Sequence, residues 1–303
     1  MLLITALIWG TAFVAQSEGM NYVKPFTYNA VRTLIGGVVL IPVIFLLKKI
    51  TAKENSSPPS QTSKKDTVIG GICCGVILFI ASSFQQFGIS CTTAGKAGFI
   101  TALYVVIVPV LGIFFGRKTA LKTWLCVAIA VIGFYLLCIN GDFSVSKGDL
   151  LVLICAIFFA MHIMTVDHFN AKDADSMVMS CIQFFTAGAL MLPCMFIFET
   201  PKLSSIFAAR NTILYAGVMS CGIAYTLQII GQRYTAPTIA TLLMSLESVF
   251  AALSGWLILS EKLSVKEFIG CAVVFFAVIL AQLDIKGKKH SNGDDTYEKE
   301  VSQ

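Results

Sequence analysis

The chain carries one pattern twice. Displaced by 143 residues, Gln85, Gly88, Thr92, Ala97, Thr101, Leu103 and Gly112 meet Gln228, Gly231, Thr235, Ala240, Met244, Leu246 and Gly255. Displaced by about 150, Trp9-Gly10 meets Phe159-Ala160, Arg32 meets Gln183, Gly37 meets Gly188 and Pro42 meets Pro193. The offset drifts only by loop length, so both halves hold the same elements in the same order. Whatever the first half folds into, the second must repeat.

The repeated unit is built for a bilayer. Of 303 residues, 56% are hydrophobic and 13% charged, with mean hydropathy +0.81, far from the usual soluble composition. Ten stretches are apolar enough to span roughly 30 Å of hydrocarbon, for which about 17 to 25 residues are needed. They lie near 2–18, 27–47, 67–89, 95–116, 122–139, 149–167, 176–198, 212–233, 237–259 and 266–283. The expectation is an all-α polytopic membrane protein of ten helices in two five-helix repeats, residues 2–139 and 148–283. An odd number of crossings per repeat makes the second copy enter from the opposite face, which gives an inverted-topology repeat.

The net charge of +5 would suggest nucleic acid in a soluble protein, but here its distribution matters more than its total. With a cytoplasmic N-terminus, fourteen basic residues fall on the cytoplasmic side, among them Lys48, Lys49, Arg117, Lys118 and Arg233, and seven on the other, among them Lys96 and Arg210. The positive-inside rule then places both termini in the cytoplasm of a plasma-membrane protein. The polar, Pro/Ser/Lys-rich segment 49–66 reads as a mobile linker, and the tail 284–303, basic and then acidic, reads as disordered. Both are expected on one side of the membrane, with the loop 140–147 on the other.

Ten cysteines suggest a framework, yet nine sit within expected spans and none forms a C-x-x-C pair. They read as small core residues rather than disulfides or metal ligands. His162, Asp167 and His168 do not share a helical face at metal-ligand spacing, so no metal site is expected. Segment 1 has no basic n-region and a counterpart in the second half, so it reads as mature structure.

Polar side chains facing lipid are costly, so their positions mark the inner face of each helix. Ser82, Gln85, Gly88 and Thr92 form one stripe, and Tyr225, Gln228, Gly231 and Thr235 repeat it. These residues either hold helices together or meet a solute in a shared central site. Gly98, Thr101, Val105, Pro109, Gly112 and Gly116 make a small-residue face, matched by Thr241, Ser245, Ser248, Ala252 and Gly255. Pro109 lacks an N–H and is expected to permit a backbone irregularity used in gating. The ionisable residues at depth are Arg32, His162 and Glu247. Arg32 is expected to snorkel or to pair with a carboxylate, and His162 is either a core histidine or a ligand. Glu247, whose repeat partner is Tyr104, must be stabilised by protonation and hydrogen bonding, or else bind substrate or a proton. Candidate substrate contacts are therefore Glu247, Tyr104, Gln85, Gln228, Tyr225, His162 and Trp9, with Pro109, Gly112 and Gly255 in gating or packing.

The runs "LIWGTAF", "YNAVRTLIGG", "TTAGKAGFITALYVVIVPVLGIFFGRK" and "LLMSLESVFAALSGWLILSEKLSVKEFIGC" resemble the drug/metabolite transporter superfamily of EamA-domain type, over Leu2 to Leu283. The resemblance implies ten helices in two inverted repeats and movement of amino acids, other small metabolites or drugs, often outward. Two departures stand out. Where the family often has Glu-Pro in segment 9, this chain has Glu247-Ser248, which weakens the kink the family implies there. Lys118 stands where the second repeat has Glu261, so that loop glutamate is not duplicated.

The expected function is secondary transport of a small organic solute by alternating access. No G-x-x-x-x-G-K-[ST] motif is present, so a proton or substrate gradient remains as the energy source, with no cofactor and no nucleic-acid partner. A homodimer is compatible with the chain. The competing readings are an intramembrane enzyme, which would need a nucleophile–base pair or a carboxylate–metal cluster at depth, and a non-transporting channel or scaffold.

Overall fold

The structure, a computed structural model, describes residues 1–54, 62–138, 146–258 and 264–283. Among these residues the regular structure is entirely helical. The first half holds α1 (Leu2–Gly19), α2 (Pro25–Glu54), α3 (Lys64–Ile89), α4 (Ala94–Ala102), α5 (Tyr104–Phe114) and α6 (Leu121–Cys138). The second holds α7 (Lys147–Asn170), α8 (Ser176–Phe198), α9 (Leu203–Ala208) and α10 (Arg210–Leu214). A π-helical stretch, Tyr215–Ala224, then leads into α11 (Tyr225–Gln232), α12 (Pro237–Met244), α13 (Glu247–Ile258) and α14 (Val265–Gln282).

Side-chain caps begin many of these helices. Ser63 accepts from Asp66 N, Thr93 from Lys96 N and Asp175 from Met177 N and Val178 N, while Ser146 with Asp149 and Ser264 with Glu267 form capping boxes. The start of α2 is capped from the other half of the chain. The Glu199 carboxylate accepts from Phe26 N and Thr27 N, each at 2.8 Å, and from the Thr27 hydroxyl at 2.6 Å. On the same side, Asp149 pairs with Lys96 at 2.6 Å and accepts from Thr92 at 2.9 Å, tying the α3–α4 turn to the start of α7.

Eight helical runs among the described residues are long and apolar enough to cross a membrane: α1, Pro25–Leu46, α3, Ala94–Phe114, α7, α8, Arg210–Gln232 and Pro237–Ile258. Ten crossings were expected, and eight runs meet this measure. The stretches expected at 122–139 and 266–283 do fold as α6 and α14, but each is only 18 residues long. Lys122, Lys266 and Glu267 occupy their first turns, and 18 residues rise about 27 Å. Large apolar side chains, including Phe45, Phe114, Leu121, Phe196 and Phe268, are exposed around the bundle, as a lipid-facing surface requires. The linker expected at 49–66 is helical up to Glu54 and again from Lys64; 55–61, the loop 139–145, Glu261 and the tail 284–303 lie outside the described residues.

The packing brings the two halves together. In the first half α3 lies against α7 and α8; in the second the π-helical stretch lies against α1 and α2. The α1–α13 contact has its counterpart in α7 against α4 and α5, while α2 with α8 and α6 with α14 are each their own counterparts. Glycines allow the closest approaches. A Cβ on Gly10 would stand 2.4 Å from Phe250 Cβ and 2.7 Å from the Glu247 carbonyl oxygen, so only glycine lets α1 seat against α13 there. One on Gly75 would stand 2.5 Å from Thr186 Cβ, which holds α3 equally close to α8.

Candidate functional site

A small cavity lies where α1, α3, α4, α5, α7, the π-helical stretch, α11 and α13 converge. Its free volume is about 30 Å³, room for two or three water molecules by the usual size of roughly 10–15 Å³ of accessible space per water. Trp9 and Tyr225 form one wall, ring edge to ring face with centroids 4.7 Å apart. Phe13 and Phe159 add apolar surface, and Gln85, Thr101 and Ser220 add polar groups.

Tyr104 and Glu247 face this cavity because their helices break. The first run stops at Ala102 and resumes at Tyr104; the second stops at Met244 and resumes at Glu247. These are equivalent places in the repeat, and each puts the first residue of the resumed helix at the cavity wall. In the second half hydroxyls bond carbonyls at the break, with Ser245 donating to Leu242 O and Ser248 to Ser245 O, each at 2.8 Å, and Ser245 O also accepts from Ser248 N at 3.2 Å. The kink that the Glu247-Ser248 pair was expected to weaken is therefore present without proline. In the first half α5 is continuous through Pro109, and the interruption lies at Leu103, six residues earlier.

Three lining residues carry a fully buried polar atom with no protein partner, Trp9 Nε1, Gln16 Oε1 and Gln228 Oε1, while the Tyr104 hydroxyl and the Glu247 carboxylate are set against each other. The remaining bonds of the glutamines hold their amides in place. Gln228 Nε2 donates to Gln232 Oε1 at 3.0 Å, Gln232 Nε2 to Ile163 O at 3.2 Å, and Gln85 Nε2 to Thr101 Oγ1 at 3.4 Å. A donor (Trp9), a carboxylate oxygen, two amide oxygens and a hydroxyl thus converge on one space among aromatic rings. Such a set recognises a small molecule with both polar and apolar parts.

Six of the seven expected substrate contacts line the cavity: Glu247, Tyr104, Gln85, Gln228, Tyr225 and Trp9. His162 does not. Its Nε2 meets Gln183 Oε1 at 2.9 Å and its ring stands edge-on to Tyr225, 6.0 Å away, so it buttresses the wall from behind. The two stripes divide their labour. Their glutamines reach the cavity, whereas Gly88 packs on Val152 and Gly148, Gly231 packs on Leu2, and Thr92 binds Asp149. The close approach on α4 occurs at Gly98, whose Cβ would stand 3.2 Å from Ala251 Cβ; Gly112 has ordinary room, and Gly255 is buried within α13. Gln16, Phe13 and Ser220 were not foreseen. Gln16 lies seven residues after Trp9, on the same face of α1, and that spacing could have revealed it. Among the described residues Arg32 meets no carboxylate. It is buried, its Nε donates to Asn29 Oδ1 at 2.8 Å, and its guanidinium lies 5.7 Å from the Tyr28 ring centre.

The sequence profile of the EamA-like transporter family matches this chain twice, over residues 1–139 and 146–283. The chain belongs to the EamA-like transporter family. It is 30% identical over 285 residues to an uncharacterized transporter of Archaeoglobus fulgidus, covering 94% of this chain and 85% of that one. It is 26% identical to the uncharacterized inner membrane transporter YedA of Escherichia coli K12, covering 91% and 88%, and 24% identical to protein PecM of Dickeya dadantii, covering 91% and 89%. A solved crystal structure shares its fold with TM-score 0.69 at 19% identity, over 92% of this chain and 94% of that one. The chain is thus a multi-pass membrane transporter with a small-molecule substrate, of the drug/metabolite type.

Proposed function

We propose that the Trp9–Tyr104–Gln228–Glu247 cavity is the solute site of a secondary transporter that works by alternating access. One observation carries this reading. Three buried polar atoms of a single cavity, Trp9 Nε1, Gln16 Oε1 and Gln228 Oε1, lack partners, and each such group costs about 1–3 kcal/mol when left unmet. In a domain stable by roughly 5–15 kcal/mol that is tolerable only if something fills the space, water at rest and solute in turn. At about 30 Å³ the site is too small for an organic molecule and must widen to load.

The exchanged packing of the two halves supports an inverted repeat of five helices each, with α6 and α14 as the fifth and tenth crossings. The basic-residue asymmetry supports cytoplasmic termini in the plasma membrane, and the superfamily resemblance supports the outward direction. Counterflow in liposomes tests the mechanism. Protein loaded with an excess of unlabelled amino-acid mixture should transiently concentrate labelled solute, and simple downhill equilibration would favour a channel instead. Single cysteines at Ser57 and Ser144 test the orientation. An impermeant thiol reagent outside intact cells should label position 144 alone, and labelling at 57 alone reverses the topology.

A further inference from the structure

At one end the cavity wall runs on into an ion pair between the two halves. On α7 the lining residues Phe159 and Ile163 are followed one turn later, on the same side of the helix, by Asp167. Asp167 Oδ2 is fully buried and meets Arg117 Nη2 at 2.5 Å, the one cation in ion-pair reach of it among the described residues. Arg117 comes from the other half, just past α5, which begins at the lining residue Tyr104 and packs along α7. A glycine sets its direction. Gly116 takes φ +74°, its N–H donates to Ile113 O at 3.0 Å, and Arg117 N donates to Gly112 O at 2.9 Å. That left-handed turn ends α5 and folds Arg117 back beneath it, its Cβ 3.7 Å from where a Cβ on Gly112 would stand.

Two comparisons set this pair apart. At the other end of α7 Lys96 also pairs with Asp149 across the halves, but Asp149 accepts in addition from the Thr92 hydroxyl at 2.9 Å and from Ser146 N at 2.8 Å, so it stays fixed without the lysine. Asp167 Oδ2 has no hydrogen bond to fall back on, and the Arg117 side chain is 38% exposed, with water to swing into. The repeat carries neither charge. Trp9 and Phe13 line the cavity at the places of Phe159 and Ile163, and the next turn of α1 has Ser17, while Ser260 stands where Arg117 does. We infer that the Arg117–Asp167 pair is a latch on one end of the cavity, closed in this structure and parted each time a solute passes that end. The inference rests on the cavity being the solute site, and it names the contact that must break for the site to load or empty there.

The test separates the latch from transport. In a cysteine-free background of the full chain, Ile163→Cys reports water access to the cavity, and its labelling by an impermeant maleimide is timed in intact cells and in inverted membrane vesicles. Arg117→Gln and Asp167→Asn should each raise the labelling rate about tenfold, and only from the face that bears Arg117. Arg117→Gln alone decides the matter if Asp167→Asn does not fold. Arg117→Lys, which keeps the charge, and Lys96→Gln, which leaves Asp149 its other partners, should both stay within about twofold of the parent. Next, Arg117→Cys and Asp167→Cys are combined and joined by a bifunctional methanethiosulfonate. Counterflow of labelled amino acids in liposomes should stop on linking and return on reduction. The labelling pattern with no counterflow in any form of the protein upholds the latch and defeats the transport reading. No rise in labelling in Arg117→Gln, an equal rise from both faces, the same rise in Lys96→Gln, or counterflow that persists through the link overturns the inference.

Discussion

The two broken helices share a geometry and differ in chemistry. The α4–α5 run breaks at Leu103 and the α12–α13 run at Ser245–Leu246, the same place in the repeat, and each aims the next residue at the cavity. One presents the Tyr104 hydroxyl, the other the Glu247 carboxylate. Proline causes neither break. Pro109 lies inside continuous α5, and its counterpart in α13 is Ala252. The difference shows that the break belongs to the repeat, while the groups it presents are free to diverge. A hydroxyl and a carboxylate set against each other make a polar site from two halves whose backbones follow one plan.

The largest expected effect lies behind the second break. Gly10→Leu forces a side chain against Phe250 and the Glu247 carbonyl, so it should unseat α1 from α13 and cost well over 1–3 kcal/mol. Size-exclusion profiles and thermal denaturation would register it; an unaltered melting curve would mean that α1 does not pack there. On the first broken helix Gly98→Ala meets only Ala251 at 3.2 Å and should cost less than about 1 kcal/mol by the same assay.

Removing a polar group from the cavity comes next. Gln228→Ala should weaken solute affinity roughly tenfold and, by removing the bond from Gln228 Nε2 to Gln232 Oε1, should also cost about 1–3 kcal/mol in stability. A loss of stability with unaltered affinity would return Gln228 to helix packing. Tyr104→Phe should cost about three- to tenfold, the loss of one neutral hydrogen bond.

The smallest effects concern the breaks themselves. Ser245→Ala with Ser248→Ala removes the hydroxyl that bonds the Leu242 carbonyl and a second bond to Ser245 O, which keeps Ser248 N, and should cost no more than about 1 kcal/mol in stability. Pro109→Ala should change turnover in reconstituted protein by less than about twofold, because α5 is helical on both sides of it. A large loss there would make the proline, and not the repeat, the source of gating.

Much of this arrangement was legible in the residues. Gln85 and Gln228 recur at one offset on polar stripes, and Glu247 is acidic at mid-span, so each announced an inward face. Trp9-Gly10 announced the α1 contact only in part. The tryptophan reaches the cavity, but the need for glycine comes from α13, more than two hundred residues away in the chain. Long-range partners explain the other gaps. Glu199 caps α2 from across the fold, and His162 spends its nitrogen on Gln183 rather than the cavity. The π-helical stretch bearing Ser220 has no local signature, for Gly217 and Gly222 read as ordinary small residues until α2 is seen packed on them.

The account stands most directly on Glu247, buried, set against Tyr104 and lining the cavity. Glu247→Gln keeps its size and removes its charge. In proteoliposomes with an imposed proton gradient, the variant should lose gradient-driven accumulation by roughly tenfold to a hundredfold, the factor for a charge-assisted bond of about 1.5–3 kcal/mol. Solute-for-solute exchange surviving in the variant would mark the carboxylate as the proton carrier, and exchange lost with it would mark a direct solute contact. Wild-type accumulation, exchange and pH dependence in Glu247→Gln would contradict the assignment of this cavity as the solute path.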